Sequence, residues 1–244
     1  MALSTLLQIV TQACDEIGIT RPGSAGVIAS SLPQDRQMLA LLQSAGNDCM
    51  HAHQWQTLIA TASIVTATAT QTYSLPSDFD RAVDDTGWNL SNHFPMLGSV
   101  SPQRTQFWRS SSVVAPATRK EFRITVTPNG TSQVFIVPTP TAPETLTFLY
   151  ISKNWVTSGA SNVSSFQQDT DVPLFSNHLL VKDLKWRFRS AKGLDASDYY
   201  NEWRKLYDEM VARDLGTPTI DQAGPVGPAP YDWVNIPDGN WSIT

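Results

Sequence analysis

Two clusters in this chain carry residue types that could do chemistry. Cys49-Met50-His51-Ala52-His53 offers a thiol and two imidazoles within five positions, the side chains that hold zinc. The stretch reads as helix, where residues two apart point in different directions, so only Cys49 and His53 share a face. A structural zinc site wants about four ligands, and His93 and His178 stand too far along the chain to complete one. The second cluster is Asp78, Asp80, Asp84 and Asp85. A calcium loop needs regularly spaced oxygens and a glycine at its sharp turn, a pattern absent here, so the run reads as a solvated turn. The chain also lacks a Gly-x-Ser-x-Gly elbow, a phosphate-binding glycine loop and a His-Glu-x-x-His helix. The expectation is a protein that is not an enzyme, with no catalytic residue, no metal and no cofactor.

Residues suited to binding are easier to find. Lys182, Lys185, Arg187, Arg189 and Lys192 crowd one helical stretch against a single acid, Asp183, with Trp186 and Phe188 between them. Such a helix could meet phosphates, or subunits, or be a solvated face. A net charge of −5 argues against nucleic-acid affinity as the main task, since tight binders usually carry a basic domain. Residues 217–244 contain five prolines, no Lys or Arg, and the aromatics Tyr231, Trp233 and Trp241. A segment of that composition cannot build a core, yet disordered tails are poor in aromatics. It reads as an extended arm whose rings dock on a neighbouring protein.

Composition agrees with an assembly role. Of 244 residues 41% are hydrophobic and only 16% charged, and eight are Trp, a residue enriched where interfaces concentrate their binding energy. No apolar run approaches the roughly 18 residues of a membrane span. The N-terminus lacks the basic start of a signal peptide, so Cys14 and Cys49 are expected as buried free thiols. The Asn-x-Ser/Thr sequons at Asn89, Asn129, Asn162 and Asn240 then carry no meaning.

These groups need elements to position them. Leu3, Leu6, Leu7, Val10, Cys14 and Ile17 repeat with helical spacing up to Gly18, and a second helix starts near Pro33 and runs to His53-Gln54-Trp55 along Met38, Leu42, Ala45 and Cys49. The texture becomes β-rich from Gln56. Residues 60–69 read as a strand, 121–127 and 133–137 as a hairpin around Pro128-Asn129-Gly130-Thr131, and 145–152 as a further strand. Residues 88–114 read as an irregular excursion and 157–165 as a polar loop. Helices resume over 175–189 (Leu179, Leu180, Leu184, Phe188) and from Asp195 to about Leu215 (Tyr199, Trp203, Leu206, Met210). The expected fold is therefore α+β. An antiparallel four-helix bundle comes from the two chain ends (1–55 and 157–216), with an inserted antiparallel β-rich domain (56–156) and an extended C-terminal arm (217–244).

His53-Gln54-Trp55, the turn Tyr73-Ser74-Leu75-Pro76-Ser77-Asp78-Phe79, Asp84-Asp85-Thr86-Gly87-Trp88-Asn89, and Phe135-Ile136-Val137-Pro138-Thr139-Pro140 leading into Leu146-Thr147-Phe148-Leu149-Tyr150 carry a family likeness. Over residues 1–215 the chain resembles the head-to-tail adaptors of tailed bacteriophages, in particular the tail tubular A or packaged-DNA stabilisation class of short-tailed phages. The resemblance implies a structural virion protein at the head–tail junction, assembled in the bacterial host cytoplasm. Its subunits would form a dodecameric homo-oligomeric ring under the portal. Double-stranded DNA would pass through the channel without sequence-specific binding, the arm would lock onto the portal protein, and tail or nozzle proteins would follow below. The alternatives are a nucleic-acid-binding module using the helix around 182–192 and a cell-wall hydrolase working through Asp or Glu.

Overall fold

The computed structural model describes residues 4–110 and 119–214. Its helices are α1 (Leu6–Ile17), α2 (Pro33–Ala52), α3 (Pro102–Ser110), α4 (Asn177–Ala191) and α5 (Ser197–Asp214). Its strands are β1 (Ile59–Val65), β2 (Thr72–Ser74), β3 (Phe79–Ala82), β4 (Trp88–Asn89), β5 (Phe94–Pro95), β6 (Glu121–Val126), β7 (Ser132–Val137), β8 (Thr145–Ser152), β9 (Val156–Ser158), β10 (Ser161–Val163) and β11 (Val172–Pro173). The described residues form two compact units, 4–59 with 151–214 and 60–150.

In the first unit α1 starts on a capping box: the Gln8 amide donates to Thr5 Oγ1 at 3.4 Å while the Thr5 amide donates to Gln8 Oε1 at 3.0 Å. Two further amides at that end, Leu6 and Leu7, donate to the carbonyls of Asp171 and Asp169, so a distant loop completes the cap. Gly18 closes the helix in the left-handed conformation, φ 80°. α2 begins on Pro33, and its buried Asp35 accepts the Ser30 hydroxyl at 2.6 Å.

The antiparallel four-helix bundle expected from the chain ends does not form. α4 is instead a hub that packs on α1, α2 and α5 and buries Leu179, Leu180, Val181, Leu184 and Phe188. The physical reason lies in Trp155. This fully buried ring sits against α2 where Gly46 has no side chain; a Cβ there would stand 2.1 Å from the indole. Trp155 donates to Asn47 Oδ1 at 3.0 Å, and Phe166 and Phe175 pack on its ring at centroid distances of 5.1 and 5.8 Å. Non-helical residues thus fill core volume that a bundle would give to helices. The stretch 157–165, expected as a polar loop, contributes β10 and the end of β9 to a small antiparallel sheet ordered β10–β9–β11.

The second unit rests on two antiparallel sheets. One is ordered β1–β8–β4–β5 with β3 also pairing on β8, the other β2–β7–β6. The β6–β7 hairpin forms as its turn chemistry predicts, in register from Glu121 opposite Val137 to Val126 opposite Ser132, with Gly130 at φ 78°. Ala62, Ile64, Leu146, Phe148 and Tyr150 of the first sheet share a core with Phe122, Val134 and Ile136 of the second, and Phe122 stacks on Phe148 at 5.2 Å. Within the stretch expected as an irregular excursion, residues 88–110 hold β4, β5 and α3. α3 escapes a periodicity reading because it is polar and is fixed by side-chain bonds: Arg104 clasps Glu121, and Trp108 Nε1 donates to Glu121 at 3.0 Å.

The Leu75–Phe79 turn is structural. Leu75 and Phe79 are buried, and Tyr150 donates its hydroxyl to the Asp78 carboxylate at 3.0 and 3.1 Å. Burial, reinforced by Asp78, pushes the Tyr150 hydroxyl up to about 12. Tyr150→Phe removes this bond to a charged group and should cost about 1.5–3 kcal/mol in urea unfolding.

Glu121 gives a pH prediction. The Arg104 hydrogen bond, with help from Trp108, holds its carboxyl below the ordinary 4.5. A depressed carboxylate contributes stability that is present above its unfolded value and lost as pH falls through the folded one. Glu121→Gln should therefore lower the thermal midpoint at neutral pH and flatten its decline below about 4.5, followed by circular dichroism.

Candidate assembly surfaces

The helical framework separates Cys49 from His53. Cys49 turns toward α4, with Sγ 3.9 Å from Asp183 Oδ2, and burial pushes its thiol up. His53 caps the end of α2 and places Nε2 3.2 Å from Asp214 Oδ2 on α5. No group of three or more His, Cys, Asp or Glu side chains that could hold a metal occurs among the described residues. In the second cluster only Asp84 and Asp85 are exposed. Asp78 is taken by Tyr150, and Asp80 is paired with Arg81 at 2.8 Å.

The basic residues of α4 join the hub to its neighbours. Lys182 reaches Glu202 of α5 at 2.8 Å, and Lys185 reaches Glu16 of α1 at 2.7 Å. Arg187 pairs with Asp183 one turn back and spans to α2, where it meets Asp48 at 2.8 Å and Ser44 at 3.3 Å. Arg189 donates to the Asp195 carbonyl at 2.9 Å and lies over the Tyr199 ring, while Lys192 lies over Phe188. Asp183 has no exposed surface, and burial pushes its carboxyl up against the opposing pull of Arg187. Asp195, two residues before the start of α5, accepts the amide and hydroxyl of Ser197 at 3.0 and 2.6 Å.

Outside these pairs an aromatic ledge runs along α4 and α5. Trp186, Tyr200, Trp203 and Tyr207 follow one another with ring centroids 5.4–5.8 Å apart. Tyr207, absent from the stripe read in the sequence, is the residue of α5 that is buried, while Tyr200 keeps 42% of its surface exposed. Trp203 and Tyr207 also line a groove of roughly 300 Å³ with Asp48, Cys49, Ala52 and Arg204. Of these rings Tyr200 is exposed and Trp186 and Trp203 are half-buried, and aromatic residues of this kind are enriched where interfaces concentrate binding energy.

Comparison with known families adds to this geometry. A model of the SU10 adaptor protein family matches residues 4–228. The chain belongs to that family. A search of curated proteins finds no match. Membership supports a structural phage adaptor, the coarser part of the likeness read from the Leu75–Phe79 turn and its companions.

Tyr231, Trp233 and Trp241 of this adaptor lie outside the described residues, but the root of their segment is described. Asp214, the last residue of α5, accepts the Gln56 amide at 3.0 Å with the same oxygen that approaches His53. His53 and Trp55 meet edge to face at 4.9 Å, and Trp55 donates to the Cys49 carbonyl at 2.7 Å while touching Phe175 and Tyr207. Sequence reasoning missed Asp214. The available signal was an acid at the C-terminal end of a helix, where the helix dipole disfavours it.

Arg187→Ala should be among the costliest substitutions in this unit. It removes the cation that holds the fully buried Asp183, a loss of roughly 3–5 kcal/mol, whereas replacing both partners by apolar residues of similar volume should recover most of it. Urea unfolding followed by far-UV circular dichroism measures both.

Proposed function

We propose that the protein is a head-to-tail adaptor of a tailed bacteriophage: a dodecameric ring that joins the portal to the tail and leaves a channel for double-stranded DNA. The observation that carries this reading is the family match over residues 4–228. The engagement of Lys182, Lys185 and Arg187 with acids of their own unit favours it over a nucleic-acid-binding module, whose cations would face phosphates.

In this reading residues 217–244 bind the portal by folding onto it, with Tyr231, Trp233 and Trp241 as anchors. The prolines lower the entropy lost on ordering. Asp221, Asp232 and Asp238 supply three of the five net negative charges, so the portal groove that receives the arm is basic or rich in donors. The body of the subunit is then close to electroneutral and lets DNA pass without gripping its phosphates during genome ejection. The ledge of Trp186, Tyr200 and Trp203 is covered by a neighbouring subunit, and tail or nozzle proteins bind beyond it.

Solution mass with and without portal rings tests the reading. The full chain should assemble on portal rings, and deletion of residues 217–244 should abolish capture while leaving the far-UV helical signal nearly unchanged. A full chain that fails to bind portal rings would sink the proposal.

A further inference from the structure

The described structure ends where the arm begins, and its last carboxylate is placed against a rule. Asp214 is an acid in the final position of an 18-residue helix, where exposed carbonyls already make the end negative. It is nonetheless largely buried, with 17% of its side chain exposed, and His53 beside it has 10%. Asp214 Oδ2 lies 3.2 Å from His53 Nε2 and accepts the Gln56 amide at 3.0 Å. Both partners belong to the short segment that leads from α2 through the turn at Gln56–Leu58 into β1, which starts at Ile59. Trp55 fixes the same segment from the other side through the Cys49 carbonyl and the rings of Phe175 and Tyr207. A carboxylate that an isolated helix would place elsewhere is held here by partners from a chain region about 160 residues away in sequence, as the separations of 161 and 158 show.

We propose that Asp214 is the positioning residue for the arm. It clamps the arm's root to His53–Gln56, so that ordering of the arm on a partner and the rigidity of the segment leading into β1 are thermodynamically linked. A clamped helix end lowers the entropy lost when a segment joined to it binds a partner. Linkage is reciprocal: a bound arm holds the last turn of α5 and, through Asp214, protects the Gln56 amide. The link to docking rests on the arm–portal reading above; the anchor itself does not.

Hydrogen exchange on the full chain tests the anchor first. Asp214→Ala should speed exchange of the amides at 56–58 about tenfold in the free protein, and Asp214→Asn, which keeps an acceptor oxygen, should restore most of the protection. Unchanged exchange in Asp214→Ala overturns the anchor. Portal capture tests the linkage. Asp214→Ala should weaken it about tenfold, while Tyr150→Phe, a destabilising change remote in sequence from the arm root, should leave it unchanged. A short Gly-Ser insertion directly after Asp214 keeps the clamp and frees the arm; it should weaken capture without altering exchange at 56–58 in the free chain. Normal capture by this insertion variant overturns the linkage. If deletion of 217–244 leaves capture intact, the arm–portal reading fails and takes the linkage with it, while the free-chain exchange still decides the anchor.

Discussion

A carboxylate taken out of water has to be met by donors, or its burial costs several kcal/mol. Much of this fold is organised by that requirement. Asp183, Asp171, Asp35 and Glu121 retain 0, 1, 2 and 5% of their surface, and each is met by a side chain or amide close by in space. The donors come in several cases from other elements. Arg187 serves Asp183 and then continues to α2, Arg104 and Trp108 bring α3 to β6, and Asp169 accepts the Val27 and Ile28 amides at 2.8 and 3.1 Å. Lys120 and Asn89 converge on Glu144 in the same manner, at 3.4 and 2.6 Å. With charged residues at 16% of the chain, many of those present serve as internal clamps rather than as surface decoration.

The same principle explains why α4 can be both basic and central. Its apolar side is buried as any hub requires, and its long cationic side chains run along the neighbouring helices to reach Glu202, Glu16 and Asp48. Exposed pairs of this kind contribute little individually; Glu202 and Asp48 remain 58 and 62% exposed. The Lys182–Glu202 pair joins α4 to α5, the two helices that carry Trp186, Tyr200 and Trp203.

What could be read from the sequence follows from the range of the interactions. The Gly18 stop, the β6–β7 hairpin and strand β8 are local or strongly periodic, and they stand as the residues foretell. The absence of a four-helix bundle was not legible, because helical stripes show which face is apolar and not what covers it. Trp155 fits against Gly46 from 109 positions away, and nothing in the spacing of either residue announces it. α3 was missed for a related reason: it is held by one carboxylate instead of an apolar stripe. At the candidate surfaces, the cations of α4 were visible as residue types, but their partners were not. Asp214 was overlooked because its meaning lies in what it breaks, the preference against an acid at a helix's C-terminal end.

Charge is also divided unevenly along the chain, and this bears on how a ring would hold together. Residues 1–216 carry 19 acidic side chains against 17 basic ones, because Asp221, Asp232 and Asp238 account for the rest of the 22 acids. Several of these charges are paired within the chain, while the apolar side chains of Tyr200, Leu194 and Phe107 are exposed at 42, 52 and 63%. Residues 217–244 differ, being aromatic, proline-rich and uniformly acidic where they are charged. Apolar contacts resist salt, whereas attraction between an acidic segment and a basic groove is screened by it. In the proposed ring, apolar contacts between copies would be indifferent to ionic strength, and docking of residues 217–244 would be loosened by salt. In the proposed ring, a nearly charge-balanced body would lower the repulsion between copies. Under the proposed function, the acidic charge of residues 217–244 would guide the joint that has to find a different protein.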